Sequence, residues 1–450
     1  MDQQFLPFAL QDVPRYTSYP TAVQFHDGFA ADLADLWLAE LRPEASLSVY
    51  VHVPFCQQLC WYCGCHTSVP NSYGRASAYV GSLIRDITRS GTISGAQKGN
   101  VRHLHFGGGT PTYLSNMDLG RILACINGSF GLAPDAEIAL ESDPRGITRD
   151  RAFGLAAMGF NRISFGVQDF ALPVQMKINR LQTYGLVAHV TALLREAGFT
   201  SINFDLMYGL PAQTESSVRQ TAKQAAALRP NRIAVFGYAH VTWFKKHQRM
   251  ISEAELPGVS ERYEQAMAIA EELESAGYTA VGLDHFALPD DALGIAASSG
   301  ALHRNFQGYT TDTADALISF GASAISEFPQ GFAQAARDTL AWNNAIAEGK
   351  SPSTRGLATT AEDRMRAAII EQIMCNFAAD FGKISRSFGF HRPVLDDSLL
   401  RLKPLAEAGL ASINGSTVRV ARQHRLFLRS VACAFDSFYS GAKNRHVKAI

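Results

Sequence analysis

Neither sign of charge dominates this chain: 41 lysines and arginines stand against 41 aspartates and glutamates. Without a net field, bulk attraction to nucleic acid or to an anionic membrane is excluded, and small-molecule partners are expected. No apolar run approaches the length of a membrane span. The opening MDQQFLPFALQDVPRY has neither a basic n-region nor a continuous apolar h-region, so a cytoplasmic protein is expected. Cysteines number only seven, an odd count that argues against a disulfide framework and for thiols kept reduced. A second C-x2-C pair is missing, which weakens a closed zinc site. The one glycine run has no Lys-Ser/Thr after it, so it is not a phosphate P-loop, and no dinucleotide fingerprint opens the first strand-helix unit.

Four of the seven cysteines fall within ten residues, in YVHVPFCQQLCWYCGC (50–65). Thiolates gathered in one loop serve a soft metal or an iron-sulfur cluster. Cys56, Cys60 and Cys63, spaced C-x3-C-x2-C, can hold three irons of a 4Fe-4S cube and leave the fourth open. Cys65 is a possible fourth thiolate, which keeps a zinc reading alive at this point. Cys125, Cys375 and Cys433 each stand alone among apolar residues and read as small core side chains.

The 450 residues, 47% hydrophobic and 18% charged, suit a globular protein of about three domains or one barrel with attachments. From residue 48 onward, short β-branched or alternating runs recur, each followed by a Gly-, Pro- or Asp-rich loop and a helical stretch. Six strands are predicted: 47–53, 101–106, 136–142, 162–167, 201–207 and 232–237. Between two of them, 186–198 carries an apolar stripe at helical spacing and ends on Gly198. Such alternation predicts a parallel sheet, in a barrel or open partial barrel. Side-chain parity puts Glu141, Gln168 and Asp205 on one face at the C-terminal strand ends, where such barrels carry chemistry. The cysteine loop follows the first strand and GGGTPTYL (107–114) the second, so both belong at that same mouth. Gly107, Gly108 and Gly109 let backbone approach a ligand closely. Opposite an open iron, that ligand is a small zwitterion, S-adenosylmethionine.

These motifs together resemble the radical S-adenosylmethionine superfamily, and within it the oxygen-independent coproporphyrinogen III oxidase (coproporphyrinogen dehydrogenase) family. The resemblance runs through PRYTSYPTA (14–22), YVHVPFC, CGC, GGGTPTYL, ESDPRGI (141–147), NRISFGVQDF (161–170), INR (178–180), DLMYGLP (205–211), GLDHFALPDD (282–291) and HRNFQGYTT (303–311). It implies a partial (β/α)6 TIM-like barrel with one 4Fe-4S cluster on Cys56, Cys60 and Cys63, Cys65 being a nearby non-ligand. It places adenosylmethionine on Tyr50, Tyr62, Gly108, Gly109, Thr110, Glu141, Gln168, Arg180, Asp205 and Ala239, and a second molecule near Gln307 and Ile325. Glu141 and Asp205 suit an ammonium or ribose hydroxyl, and Arg180 the methionine carboxylate. Taken alone, Arg180 reads as a surface helix residue.

The implied reaction begins with one electron breaking the sulfonium C5'-S bond. The 5'-deoxyadenosyl radical then takes a propionate β-hydrogen from coproporphyrinogen III, and loss of carbon dioxide and one electron leaves a vinyl group. Repetition on a second propionate gives protoporphyrinogen IX. The partners implied are coproporphyrinogen III and an unidentified cytosolic electron donor, in a monomer. Arg15, His303 and Arg304 are candidate cations for the substrate carboxylates, and His52 a supporting hydrogen-bond residue near the cluster. Two stretches depart from the family: NRLQ (179–182), and YAHVT (238–242), where Val241 and Thr242 replace a common proline and bear on how WFKKHQR (243–249) folds over the pocket.

The expected organisation is an extension over the barrel mouth (1–45), the barrel core (46–240), a barrel extension with substrate-pocket segment (241–355) and a helical, winged-helix-like unit (356–450). In that last unit, 359–377 and 395–409 read as helices and 411–420 as a hairpin turned by Asn414-Gly415. Its positive charge, in Arg422, Arg425, Arg429, Lys443, Arg445 and Lys448, lies beyond the wing rather than on a reading helix, which favours a packing role over DNA binding. A haem carrier and a macrocycle-opening methyltransferase are the alternative functions.

Overall fold

The computed structural model describes residues 1–439 and 447–450; Lys443 and Arg445 lie outside these. All six predicted strands are present: β1 (Leu47–Val53), β2 (Val101–Gly108), β3 (Leu132–Ser142), β4 (Arg162–Gln168), β5 (Ser201–Tyr208) and β6 (Arg232–Gly237). They pair in parallel in chain order. A seventh parallel strand, β7 (Ala316–Phe320), joins on the free side of β1. ALISF is short and far from the preceding repeats, so its membership is decided by pairing rather than by pattern.

Antiparallel strands extend both margins of this parallel run into one 12-stranded sheet. Ile325–Phe328, Gly331–Ala335 and Ser353–Ala358 continue beyond β7, while His285–Ala287 and Thr279–Val281 continue beyond β6. The two outermost strands are not paired to each other, so the barrel is open.

β1 is buried almost along its whole length, as a strand covered on both faces must be. The covering helices are α1 (Tyr73–Ile93), α2 (Asn116–Phe130), α3 (Arg149–Ala157), a short α4 (Leu172–Lys177), α5 (Tyr184–Ala197), α6 (Glu215–Ala227) and α7 (Val259–Ser275). Ser115, Thr148, Thr183 and Thr214 cap four of them, each side-chain oxygen accepting from the backbone N–H three residues on. Each such cap contributes about 1 kcal/mol and fixes where the preceding loop ends. Phe106, Phe165, Phe204 and Phe320, from four different parallel strands, are fully buried in the core.

The C-terminal helices Ala361–Asn376 and Asp396–Glu407 lie where the sequence expects them. The hairpin Ser412–Asn414/Thr417–Arg419 joins Ala378–Asp380 in a three-stranded sheet. One continuous hydrophobic core runs from the N-terminal segment through the barrel to these helices. The N-terminal motif ties the ends together: Tyr16 donates to Asp436 (2.9 Å), Tyr19 meets Ser437 (2.9 Å), and Asp12–Val13 pairs with Val447–Lys448. Of the lone cysteines, Cys375 and Cys433 are buried as expected, whereas Cys125 is half-buried at the seam of α1 and α2, where its sulfur meets Thr88 (3.4 Å).

Candidate active site

The cysteine loop leaves β1 at its C-terminal end and is pinned by backbone bonds on both flanks. Cys56 N–H donates to Ser68 (3.0 Å) and Trp61 N–H to Ile178 (3.0 Å). Asn179 in turn donates to the Leu59 carbonyl (2.9 Å). Trp61 and Tyr62 pack on a small satellite core of Val174, Ile178, Leu210, Tyr238 and Ile251. The loop therefore has its own foundation, built by α4 and the segment after β6.

Its three expected ligands sit in different surroundings. Cys56 meets Thr67 (3.1 Å) and Thr110 (3.5 Å), and burial raises its thiol pKa against those two hydroxyls. Cys60 is buried and accepts from the Arg180 guanidinium (3.4 Å). A hydrogen bond from Cys65 draws Cys63 below an ordinary thiol and holds Cys65 above one. Among the described residues, no three Cys, His, Asp or Glu side chains converge on a single-ion position. A cluster that presents a separate iron to each thiolate does not require such convergence.

The donor set fits a cluster with a ligand on its open corner. A Cβ built at Gly109 would meet the Phe55 carbonyl at 2.6 Å and the Cys56 sulfur at 3.0 Å; one at Gly107 would meet Glu141 and Tyr50 at 2.9 Å. Any side chain at these two positions would fill the space beside the sulfurs. Gly108 N–H donates to Glu141 (3.0 Å), whose other oxygen meets His105 (3.4 Å), and His105 stacks on Tyr50 at 12°. Asp205 accepts from Asn203 (2.8 Å) and Ser164 (3.2 Å); burial, then Glu141, raises its pKa to about 7. Gln168 holds a left-handed backbone (φ +66°), uncommon for a residue with a side chain, and its amide covers Gly166 beside Arg180.

Arg180 is not a surface residue. It is 6% exposed, and donates to Cys60, Asp143 (3.1 Å) and the Gly166 carbonyl (2.6 and 3.1 Å). Burial opposes its charge, but Tyr62, Asp143 and Cys60 more than offset this and raise its pKa. Nine of the ten residues expected around the first adenosylmethionine thus form one connected group with the cysteine loop. The tenth, Ala239, is joined by Gln248, whose amide donates to the carbonyls of Tyr62 (2.8 Å) and Ala239 (3.2 Å).

Gln248 was not legible as a functional residue. It is 1% exposed with its amide fully used, and its acceptor oxygen takes the Val241 N–H (2.6 Å). Proline at 241 would lack that donor, so the departure in YAHVT gains a bond that anchors the segment. His247 and Lys245 donate to the Cys63 and Cys65 carbonyls, both at 2.7 Å. The only sequence signal for them was the polar run WFKKHQR.

His52 takes a supporting role. Its Nε2–H donates to the His66 carbonyl (3.0 Å), which leaves Nδ1 to accept from the Tyr50 hydroxyl (3.1 Å). Burial lowers its pKa to about 4, so the ring is neutral.

Beside this group opens a cavity of about 750 Å³ whose wall includes Ala239 and Gln307. Ile325 is not on that wall, so the two residues expected around a second adenosylmethionine are not brought together there. Six cations line the cavity: Arg15, Arg262, Arg304, Arg425, Arg429 and Lys448. Arg304 Nη1, Arg425 Nη1 and Arg429 Nε are buried without a hydrogen-bond acceptor. Arg425 Nη1 has only Glu274, at 4.0 Å. Buried donors without acceptors are rare in proteins. Asp284 stays ionised among them: burial pushes its carboxyl up, but His285, Arg304 and Arg425 bring it down to about 2.

Two expectations need correction. His303 does not line this cavity; it bonds Glu371 (3.2 Å) on the far side of its strand. Arg425 and Arg429, read as charge beyond the wing, are 6% and 8% exposed and belong to the cavity wall. The stretch that carries them packs against both chain ends, where Arg429 donates to the Val13 (3.5 Å), Lys448 (2.8 Å) and Ala449 (2.6 Å) carbonyls.

Comparison with known proteins gives concordant matches. Residues 50–225 match the Radical SAM superfamily. The chain is 44% identical to the oxygen-independent coproporphyrinogen III oxidase of Bradyrhizobium diazoefficiens over 438 residues, 97% of each protein. It is 39% identical to the protein of that name from Escherichia coli, over 94% of this chain and 93% of the other. The solved structure of the Escherichia coli coproporphyrinogen III oxidase, described as a radical SAM enzyme, superposes with a TM-score of 0.90 at 37% identity. That superposition covers 96% of this chain and 100% of the other.

Proposed function

Since the chain belongs to the oxygen-independent coproporphyrinogen III oxidase family of radical SAM enzymes, we propose that its arginine-lined cavity holds the substrate against the cofactor group. The protein is an oxidoreductase that converts two propionates of coproporphyrinogen III to vinyl groups without oxygen. One observation carries the proposed placement. Ala239 lines the cavity and, through Gln248, is tied to Tyr62 in the cysteine loop, so cofactor and substrate spaces share a wall.

When bound, the reduced 4Fe-4S cluster and S-adenosylmethionine supply a 5'-deoxyadenosyl radical that removes a propionate β-hydrogen. The chain's own residues bind, orient and shield. Cys56, Cys60 and Cys63 hold the cluster, with Arg180 donating to the Cys60 sulfur. Four of the five guanidinium N–H groups of Arg180 have protein acceptors, and the fifth suits the methionine carboxylate. Glu141 and Asp205 accept from the adenosylmethionine ammonium and ribose hydroxyls. Gly107 and Gly109 let Tyr50, Glu141 and the Cys56 loop pack directly against the backbone beside that ligand. Arg15, Arg262, Arg304, Arg425 and Arg429 line the cavity and supply the positive charge that propionate carboxylates require.

A second adenosylmethionine beside Gln307, on the cavity wall, is part of the same reading. Seven free cysteines and the cluster loop support a reducing, cytoplasmic setting, and no helix among the described residues is long and apolar enough to cross a membrane. The test is anaerobic reconstitution with iron and sulfide, followed by dithionite, adenosylmethionine and coproporphyrinogen III. Vinyl product with 5'-deoxyadenosine is expected. Methyl transfer with intact propionates, or haem binding without decarboxylation, would replace this reading.

A further inference from the structure

The outer side of the cysteine loop, away from the cavity, carries a surface that the reaction so far leaves unused. A groove of about 600 Å³ runs between the loop and the segment after β6, lined by Cys65, Thr67, Phe244, Lys245, Lys246 and His247. Phe244 and Met250 stand exposed at 66% and 60%, which is unusual for large apolar side chains so close together in sequence, whereas Trp243 belongs to the cavity wall. Lys246 and Arg249 are exposed beside them. Neither 57–69 nor 241–252 contains an acidic residue, in a chain whose charges otherwise balance. Of the carboxylates that follow, Glu255 pairs with Lys177 (2.5 Å), and Glu253 lies 3.5 Å from His240 on the cavity wall. The surface is therefore a basic patch around apolar anchors.

Its position gives it a use. Lys245 and His247 touch the carbonyls of Cys65 and Cys63, so the patch is one backbone layer from the cluster ligands. We propose that this groove docks an acidic one-electron carrier protein, whose carboxylates pair with Lys246 and Arg249 and whose prosthetic group is brought against the cysteine loop. The carrier loses one electron and the cluster gains it, with no atom exchanged. Basic rim and apolar centre are the usual division between steering and anchoring at such transient contacts. The inference rests on the proposed function, because only a cluster that must be reduced needs such a partner.

The test uses the full chain and, as probe, an acidic flavodoxin kept reduced by NADPH and its reductase. In Lys246→Glu/Arg249→Glu, the dissociation constant for oxidised flavodoxin at low salt is expected to rise by at least about tenfold. Cluster bleaching by reduced flavodoxin is expected to slow by a similar factor. Phe244→Ala should weaken binding with little change in its salt dependence, and Lys246→Arg/Arg249→Lys should bind as the unaltered protein does. Formation of 5'-deoxyadenosine driven by dithionite should stay within about twofold in all of them, since a small reductant needs no docking surface. Unchanged affinity in the charge-reversed variant, or affinity in the unaltered protein that ignores salt, overturns the proposal. Loss of dithionite-driven activity in that variant also overturns it, because the residues then support the site itself. Failure of the unaltered enzyme with dithionite counts against the proposed function instead.

Discussion

The cysteine loop and the arginine-lined cavity share one wall of the barrel mouth but are assembled in opposite ways. The loop takes its three thiols from eight consecutive positions, 56–63, although its partners come from Thr110 after the second strand, Arg180 after α4, and Lys245, His247 and Gln248 after β6. The cavity takes its cations from residues 15, 262, 304, 425 and 429, spread over nearly the whole chain. A cofactor site can be local because the cofactor is small and its chemistry fixes the donor types. A site for a large polyanion needs several walls, and only the tertiary fold brings these together. Loss of one cluster-binding thiol should therefore be close to all-or-none, whereas loss of one cavity cation should be graded.

The largest effect is expected at the loop. Cys60→Ala and Cys63→Ala should lose the cluster, read as iron content and visible absorbance after reconstitution, and with it all activity. Cys65→Ala should keep a substantial share of both. Equal loss from Cys63→Ala and Cys65→Ala would make Cys65 a ligand and the loop a four-thiolate site.

Arg180→Met removes a buried cation from between Cys60 and Asp143. A buried partner left unpaired costs about 3 kcal/mol, or roughly 100-fold in turnover if the loss falls on the reactive geometry. Arg180→Lys should recover little, because one ammonium cannot replace the planar fork. Near-normal activity in the lysine variant would reduce Arg180 to a point charge.

Next comes the pH dependence of folding beneath the loop. His52 is neutral in the folded chain, with a pKa of about 4 against 6.5 for the free group. The unfolded chain binds its proton first as pH falls, so this contribution is present above about pH 6.5 and is lost toward pH 4. Between pH 6.5 and roughly pH 5 the loss is about 2 kcal/mol. Denaturant titrations of His52→Gln should show a decline with acid that is shallower by about that amount. An identical decline would mean that His52 is not held neutral.

The smallest effect is expected in the cavity. Arg262 lies over the Tyr208 ring (5.5 Å) on the cavity wall. Arg262→Met should raise KM for coproporphyrinogen III by about tenfold, the worth of one charge-assisted hydrogen bond, and leave cluster content unchanged. Loss of the cluster in this variant would erase the distinction between the two regions.

The same distinction explains what was legible in the sequence. All six core strands could be placed because alternation and turn residues are local signals, and the cysteine spacing needed no tertiary information. Parity even placed Glu141 and Asp205 on one face, in keeping with a register in which Glu141 pairs with Ser164 and Ser164 with Asn203, two residues before Asp205. The strand Ala316–Phe320 was missed because pairing with β1, 269 residues away in register, makes it a strand. Arg425 and Arg429 looked like surface charge because nothing near them in sequence shows that a segment some 400 residues earlier covers them. Gln248 was invisible for a related reason, since a buried glutamine is recognised only by the carbonyls it satisfies.

Transfer of hydrogen between the two regions tests their common wall most directly. Coproporphyrinogen III deuterated at the propionate β-carbons, turned over anaerobically, should place deuterium in 5'-deoxyadenosine. Vinyl product accompanied by unlabelled 5'-deoxyadenosine would contradict the account, because the radical formed at the cysteine loop would not then reach the substrate in the cavity.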